Sequence, residues 1–157
     1  NAKTNGTGTV SLIGSGYSKT NKKFTTLKVA DTVTIGGVKF KVTKIENKAF
    51  MKYQYLTNVV VGSNVTSIGD YAFYGCPRLA TVTVGKNIRT IGTKAFYGCK
   101  SLKTVKILSS KLVKARTSAF GGIKANAAFA LPKKYHNSYG RLIKKAGAPK
   151  KAVYKKF

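Results

Sequence analysis

The side chains able to support catalysis or bind a metal are few in this chain of 157 residues. They are the acids Asp31, Glu46 and Asp70, the single histidine His136, and the cysteines Cys76 and Cys99. Paired carboxylates and Ser-His-Asp triads need acids or imidazoles close together, but no acid follows Asp70. The cysteines form neither a CxxC motif nor a Cys/His cluster. The sequence therefore predicts no catalytic residues, no metal site and no cofactor.

A pentapeptide that occurs twice, at an offset of 23 residues, reveals an internal repeat. Residues 72–76 read Ala-Phe-Tyr-Gly-Cys, and residues 95–99 read the same. Extending the match in both directions defines four repeats, over 42–64, 65–87, 88–111 and 112–131. One repeat has too few apolar residues to close a core, whereas stacked repeats bury a continuous one.

Aligned, the repeats place related residues in columns. The main core columns are Phe50, Phe73, Phe96 and Phe120, and Val59, Val82, Val105 and Phe129. The alternation of Val82 and Val84 predicts a short strand with Thr81 and Thr83 on its outer face. A further column holds residue types that cap helix N-termini, so we expect a helical turn after each of Asn47, Asp70, Thr93 and Thr117.

The repeat pattern Leu-x-x-Val-x-Val-(x)3-Val-x-x-Ile-Gly-x-x-Ala-Phe-x-x-Cys resembles the BspA-like, or Treponema-type, leucine-rich repeat. The second and third repeats match it at nearly every position, whereas Tyr53 and Ile123 replace the cysteine in the first and fourth. The resemblance implies an α/β repeat fold, a right-handed leucine-rich-repeat solenoid of about four 23-residue coils. It also implies a family rich in secreted and surface-attached bacterial proteins, several of them described as adhesins or protein-binding modules.

Residues 1–41 are interpreted as an N-terminal β-hairpin cap with a half repeat. Segments 9–13 and 24–29 are expected to pair as antiparallel strands. The pair Gly36-Gly37 between two alternating segments predicts a tight hairpin, and residues 1–8 are expected to be loose.

Residues 132–157 are interpreted as a C-terminal helical cap. Apolar residues at helical spacing predict a helix over about 133–146 whose apolar face covers the last repeat; they are Tyr135, Tyr139, Leu142, Ile143 and Ala146. Residues 152–154 are expected to add a short strand.

The chemically reactive residues also have structural interpretations. Stacked strands lie about 4.8 Å apart, which is within disulfide range, but stacked side chains point in parallel. We therefore favour free buried thiols at Cys76 and Cys99 over a disulfide. Asp70 lies in the capping column, and Asp31 and Glu46 align with turn positions of other repeats. A cleft shared by a cysteine and His136 would instead support catalysis.

The candidate binding surfaces are the outer strand face and the lysine-rich ends. The strand face is predicted to present Asn58, Val60, Thr81, Thr83, Thr104 and Lys106. Lys and Arg number 30 against 3 acids, which makes the net charge +27. Only four of the 30 are arginines, the residues that nucleic-acid-binding proteins usually use to contact phosphates and bases. The candidate polyanion contacts are Lys133, Lys134, Lys144, Lys145, Lys150 and Lys151.

These features together predict a non-enzymatic adhesion or protein-interaction module, extracellular or on the surface of a bacterium. It is expected to be a monomer, and no apolar run approaches the roughly 20 residues of a membrane span. The expected partners are host or bacterial surface proteins, or anionic cell-wall and glycan polymers. One alternative is a structural spacer or wall-anchoring module without its own ligand. Another is a non-specific nucleic-acid binder that acts through counterion release.

Overall fold

The structure is a computed structural model that describes residues 2–4 and 8–157. The strands in these residues are β1 (Ala2–Thr4), β2 (Thr9–Leu12), β3 (Thr26–Lys28), β4 (Thr32–Ile35), β5 (Val38–Ile45), β6 (Asn58–Val60), β7 (Ser67–Ile68), β8 (Thr81–Val84), β9 (Thr90–Ile91), β10 (Thr104–Ile107), β11 (Lys114–Ala115), β12 (Ala128–Leu131) and β13 (Val153–Lys156). A 3-10 helix, Lys133–Tyr135, leads directly into the α-helix α1 (His136–Lys145).

The strands form two sheets, named sheet 1 and sheet 2. The strand order of sheet 1 is β1-β2-β5-β7-β9-β11, with β4 paired to β5. The order of sheet 2 is β13-β12-β10-β8-β6-β3, and all its pairings are parallel. A single repeat supplies one strand to each sheet, as 65–87 does with β7 and β8. The short parallel strands predicted from the alternating residues are therefore confirmed.

The buried core is continuous and uses the predicted columns. Phe50, Phe73, Phe96 and Phe120 are fully buried, and their rings stack within 8° of parallel at centroid distances of 5.4, 5.3 and 5.6 Å. Phe129 then packs edge-on against Phe120 at 5.2 Å. Because each ring lies between its counterparts in the adjacent repeats, the stack joins the repeats into one core.

The helical turn predicted after each capping residue is wrong. The residue that follows each capping position has a left-handed backbone, with φ of 60, 57, 51 and 53° at Lys48, Tyr71, Lys94 and Ser118. A left-handed residue cannot continue a right-handed helix. At Lys48, Tyr71 and Lys94 the N–H bonds the adjacent repeat instead, as Tyr71 N does with Thr93 O at 2.9 Å. The capping side chain also bonds across repeats, since Asp70 Oδ1 accepts from Thr93 N at 2.7 Å.

The antiparallel pairing predicted between 9–13 and 24–29 is also wrong, because the two strands belong to different sheets. β2 pairs in parallel with β5, and β3 pairs in parallel with β6. Val10 is aligned with Val42, and Leu27 is aligned with Val59. Each strand therefore extends a core column of the repeats instead of pairing with the other strand.

The tight hairpin predicted at Gly36-Gly37 is confirmed. β4 and β5 pair antiparallel, and the two glycines have φ of 56 and 79°, as a two-residue turn of this kind requires. The expectation that 1–8 is loose is wrong for Ala2–Thr4, which pairs with β2. Positions 1 and 5–7 lie outside the described residues.

The C-terminal helix is confirmed and packs on the last repeat. Tyr139 and Ile143 are buried, and Leu112 N donates to the Tyr139 hydroxyl at 3.1 Å, which ties α1 to the chain just before β11. The expected terminal strand is β13, which pairs in parallel with β12. Across the described segments, no helix combines the length and apolar character that a membrane crossing needs.

Candidate functional site

The outer face of sheet 2 carries two rows of side chains in register. One row contains Asn58, Thr81 and Thr104, and the other contains Val60, Thr83 and Lys106. These residues are half-buried or exposed, whereas the valines between them are buried. Thr81 Oγ1 donates to Asn58 Oδ1 at 2.6 Å, which fixes both side chains. The structure thus brings the six predicted face residues together on one surface.

Lysines lie at both edges of this face. The row that contains Lys106 extends to Lys28 on β3 and to Lys155 on β13. All three lysines are exposed. Lys106 Nζ lies 4.9 Å from the centroid of the Phe157 ring, a cation–π distance. A partner on the face would therefore meet small side chains and Lys106 on the inner strands, and Lys28 and Lys155 on the two edge strands.

Positive charge extends well beyond this face. Every lysine other than Lys44 and Lys94 is exposed. The six predicted polyanion contacts are all exposed and lie in or beside the C-terminal helices; they are Lys133, Lys134, Lys144, Lys145, Lys150 and Lys151. The one salt bridge within the described residues joins Lys44 Nζ to Glu46 Oε2 at 2.7 Å. Most of the lysine charge is therefore unneutralised by the chain itself.

Each of the three acids contacts the scaffold. The hydrogen bond from the Lys44 ammonium lowers the pKa of the Glu46 carboxyl, against the opposing effect of desolvation. Asp31 Oδ1 accepts a hydrogen bond from Ser63 N in the adjacent repeat. Asp70 caps its neighbouring repeat in the same way. The acids thus occupy turn positions, as the repeat alignment predicts.

The cysteines are free and buried, which confirms the favoured interpretation. The Cys76 thiol donates to Phe50 O and the Cys99 thiol donates to Phe73 O, both at 3.1 Å. The adjacent Cys76 thiol and burial together raise the pKa of the Cys99 thiol well above its usual value. A buried thiol with a raised pKa forms little thiolate and is a poor nucleophile.

The structure does not bring His136 to either cysteine. One ring nitrogen of His136 lies 3.2 Å from Asn137 Oδ1, and the other lies 3.3 Å from Tyr154 O. The thiols instead contact carbonyls inside the repeats. Among residues 2–4 and 8–157, no three His, Cys, Asp or Glu side chains form a group that could hold a metal ion.

The turns carry an aromatic cluster in which the sequence indicates Tyr74 and Tyr97 as partly buried candidate binding residues. Tyr74 and Tyr97 stack at 5.6 Å and 7°, and the Tyr71 ring lies 5.6 Å from Tyr74. Lys94 Nζ lies 5.9 Å from the Tyr71 ring and 5.5 Å from the Tyr97 ring. All four side chains are half-buried. The repeat offset aligns Tyr74 with Tyr97 and also Tyr71 with Lys94, and the last two residues both have a left-handed backbone.

The repeat pattern and the paired parallel sheets agree with a known family model. Residues 43–143 match the BspA type leucine-rich repeat region in six copies. The chain belongs to this family. The model finds more copies than the four repeats aligned above, and its match continues past residue 131 into α1. The comparison of this leucine-rich repeat protein with curated proteins finds no match.

Solved structures of bacterial proteins share the fold. A leucine-rich repeat protein from Bacteroides ovatus superposes with a TM-score of 0.71 at 22% identity, over 99% of this chain and 35% of that one. A leucine-rich repeat protein from Bacteroides capillosus superposes with a TM-score of 0.69 at 23% identity, over 98% of this chain and 92% of that one. A leucine rich cell surface protein from Faecalibacterium prausnitzii superposes with a TM-score of 0.56 at 20% identity, over 99% of this chain and 48% of that one. The chain thus spans about a third of the Bacteroides ovatus protein.

Proposed function

We propose that this leucine-rich repeat protein is a non-enzymatic interaction module, located outside a bacterium or on its surface. Its partners are host or bacterial surface proteins, or anionic wall and glycan polymers, and it binds them as a monomer. The observation that carries the proposal is the outer face of sheet 2. Its residues stand in two regular rows, are accessible, and have lysines at both edges.

The scaffold in this proposal is a right-handed solenoid of four coils over 42–131. Residues 1–41 and 132–157 act as its N-terminal β cap and C-terminal helical cap. Caps with a polar outer surface are what a repeat array needs to stay soluble and unassociated. The exposed lysines of the C-terminal segment are consistent with this role, and they favour a monomer because like charges repel.

Two findings support recognition of a partner over a spacer role. The first is the cluster of Tyr71, Tyr74, Tyr97 and Lys94, because tyrosines in partly exposed groups supply contact area at low entropic cost. The second is the name of the Faecalibacterium prausnitzii relative, a cell surface protein of the same fold. A spacer built of stacked repeats would have the same regular strand face, but it would not need the aromatic cluster.

Charge supplies the long-range part of binding in this proposal. With 30 basic residues against 3 acids, the chain attracts any polyanion and accelerates the encounter at low salt. Lysine ammonium groups act as point charges that lack the planar fork of arginine, so they contribute attraction with little base or phosphate selectivity. Duplex DNA should therefore bind only through counterion release, and binding should fall steeply as salt rises.

The test is a salt-titrated retention experiment on immobilised wall polymer, host matrix protein and duplex DNA. The proposal predicts that one wall polymer or matrix protein retains the chain at about 0.3 M salt, where long-range attraction is screened. Loss of all three interactions at the same low salt would contradict a specific partner. Retention by none of them, even at low salt, would favour a spacer.

Two matched variants locate the binding face. Thr83→Glu places a negative charge on the outer face of sheet 2, whereas Thr90→Glu places the same charge on the outer face of sheet 1. Both threonines are half-buried and precede a buried aliphatic residue. Thr83→Glu is expected to abolish retention and Thr90→Glu to preserve it. An equal effect of the two variants would show that only total charge matters.

A further inference from the structure

A groove runs between α1 and β13 at the C-terminal end of the molecule. Its lining residues are His136, Asn137, Gly140, Arg141, Lys144 and Tyr154, and its volume is about 300 Å³. His136, Asn137, Arg141 and Lys144 lie on a side of α1 other than the one that carries the buried Tyr139 and Ile143, and the buried Gly140 lies between the two sides. The groove is therefore separate from the contact that holds α1 to the repeats, and also from the strand face proposed above.

The groove is positively charged and has no internal counter-ion. Arg141 and Lys144 both line it, and none of its lining residues is an acid. The three acids of the chain all precede residue 71 and contact other parts of the scaffold. Lys144 Nζ lies 5.3 Å from the centroid of the Tyr154 ring. A cation–π contact orients an ammonium group but does not neutralise it.

The groove is also preformed and open. The Tyr154 ring stacks on the buried Phe129 ring at 5.6 Å, and Tyr154 O contacts the His136 ring, so one wall is fixed from two sides. Glycine is unfavourable inside a helix, yet Gly140 lies in the middle of α1. A Cβ there would lie 3.7 Å from Tyr154 Cδ1, so any longer side chain at this position would enter the groove.

The hydroxyl of Tyr154 has almost no accessible surface. The Tyr154 hydroxyl is buried, and of the side-chain polar atoms in the described chain it is the one found buried without a hydrogen-bond partner. Buried polar groups in folded proteins are nearly always paired. Because the hydroxyl has almost no accessible surface, a ligand in the groove would be held by Arg141 and Lys144 instead.

We propose that this groove binds a tetrahedral oxyanion, the phosphate or sulfate ester group of an anionic polymer. An arginine fork can bind two oxygens of such a group while a lysine ammonium contacts a third. The volume lies at the lower end of the range for ligand pockets, which suits one ester group and its sugar or glycerol neighbour. The inference rests on the proposed function, because it names a discrete subsite for the anionic partner.

The test titrates the whole chain with small esters by calorimetry at about 0.15 M salt, where screening suppresses non-specific attraction. Glycerol 1-phosphate and glucose 6-sulfate are the two probes, and glucuronate is the planar carboxylate comparison. The expected result is saturable 1:1 binding of at least one ester, with at least tenfold weaker binding of glucuronate. Equal binding of glucuronate, or no saturation with either ester, would overturn the proposal. The preferred ester distinguishes a phosphate polymer from a sulfated glycan.

Three variants separate the groove from overall charge. Arg141→Gln with Lys144→Gln removes two positive charges from the groove, and Lys86→Gln with Arg89→Gln removes two from exposed positions before β9. Gly140→Leu fills the groove without changing charge. The Arg141/Lys144 double variant and Gly140→Leu are expected to weaken ester binding at least tenfold. The Lys86/Arg89 control should change it less than twofold. Equal losses in the two double variants, or full binding by Gly140→Leu, would reject the site.

The retention experiment separates this inference from the proposed function. If the wild-type chain is retained by a wall polymer but binds neither ester, the groove assignment fails and the proposed function stands. If both esters bind but no polymer or matrix protein retains the chain, the proposed function fails and the groove assignment stands. Unchanged thermal unfolding of the variants verifies that any loss of binding does not come from misfolding.

Discussion

Gly92→Ala tests the close approach of neighbouring repeats. Gly92 does not have a positive φ, so alanine meets no backbone strain there. Its Cβ, however, would lie 2.5 Å from Gly69 C, 2.6 Å from Asp70 N and 2.6 Å from Asp70 Oδ1. The first two atoms are backbone, and the third accepts the hydrogen bond from Thr93 N. The two backbone atoms cannot move aside as a flexible side chain could, and movement of the Asp70 carboxylate would break its hydrogen bond.

The expected cost of Gly92→Ala has two parts. Overpacking a tight site costs about 1–3 kcal/mol. Displacing Asp70 breaks a hydrogen bond to a charged group, which costs about 1.5–3 kcal/mol. We therefore expect the free energy of unfolding to fall by about 4 kcal/mol. For a chain of this length, that loss lowers Tm by about 8–16 °C.

The assay is urea unfolding at fixed salt, followed by far-UV circular dichroism and by the fluorescence of the nine tyrosines. Urea is preferred to guanidinium because guanidinium is a salt and would screen the charge of +27. Gly16→Ala is the control, since a Cβ there has no atom within 4 Å and φ is not positive. If Gly92→Ala is within about 0.5 kcal/mol of Gly16→Ala, the repeats do not approach as closely as described.

Other measurements address the core, the thiols and the charges. Phe73→Ala removes a buried ring from the middle of the stack and should cost about 3–5 kcal/mol in urea unfolding; a cost below about 1 kcal/mol would contradict tight stacking. Cys76 and Cys99 should react with a thiol reagent only after unfolding, and rapid labelling of the native chain would contradict their burial. Lys44 lowers the pKa of Glu46 in the folded chain, so this pair stabilises the fold above the unfolded pKa of about 4.3 and the contribution is lost as pH falls through the lower folded pKa. Glu46→Gln should accordingly reduce the free energy of unfolding at pH 7 but not below the folded pKa of Glu46. An equal reduction at both pH values would contradict a charge-dependent contribution of this pair. Raising salt from about 0.05 to about 0.5 M should raise Tm because it screens the net positive charge, and an unchanged Tm would show that self-repulsion is negligible.

The columns of the core could be predicted because burial is encoded by side-chain type at a fixed offset. Phe73 and Phe96 are both buried in the same environment, so the same residue type is favoured at both positions. The same logic placed Thr81 and Thr83 on one face, because alternation along a strand assigns its two faces. It also located α1, whose apolar spacing is helical.

The conformation of the turns could not be predicted from residue type. Asn47 and Asp70 cap helices in many proteins, but here they cap the backbone of the adjacent repeat. The choice between a helical turn and a left-handed residue depends on whether the backbone N–H groups of the turn find acceptors within the same turn or in the adjacent repeat. The N–H groups of Tyr71 and Phe73 find acceptors in the neighbouring repeat, whereas Tyr74 N bonds Tyr71 O within the turn, and the local sequence does not encode the acceptors of the neighbouring repeat.

The candidate sites divide in the same way. The strand face follows from the repeat period alone, whereas the groove requires a helix and a strand that meet only in the folded chain. Arg141 lies in the helix α1 and Tyr154 lies in the strand β13, yet both line the groove. The residue spacing within either element does not indicate that the two side chains meet.

The sequence by itself determined the repeat, the core columns, the outward strand face and the excess of positive charge. These properties depend on residue type and spacing, which are fully present in the chain. The tertiary structure decided the left-handed turns, the placement of β2 and β3 in different sheets, and the groove between α1 and β13. These depend on which backbone groups become neighbours after stacking, because hydrogen bonds and close contacts between repeats stabilise conformations, such as the left-handed backbone at Tyr71, that the local sequence does not favour.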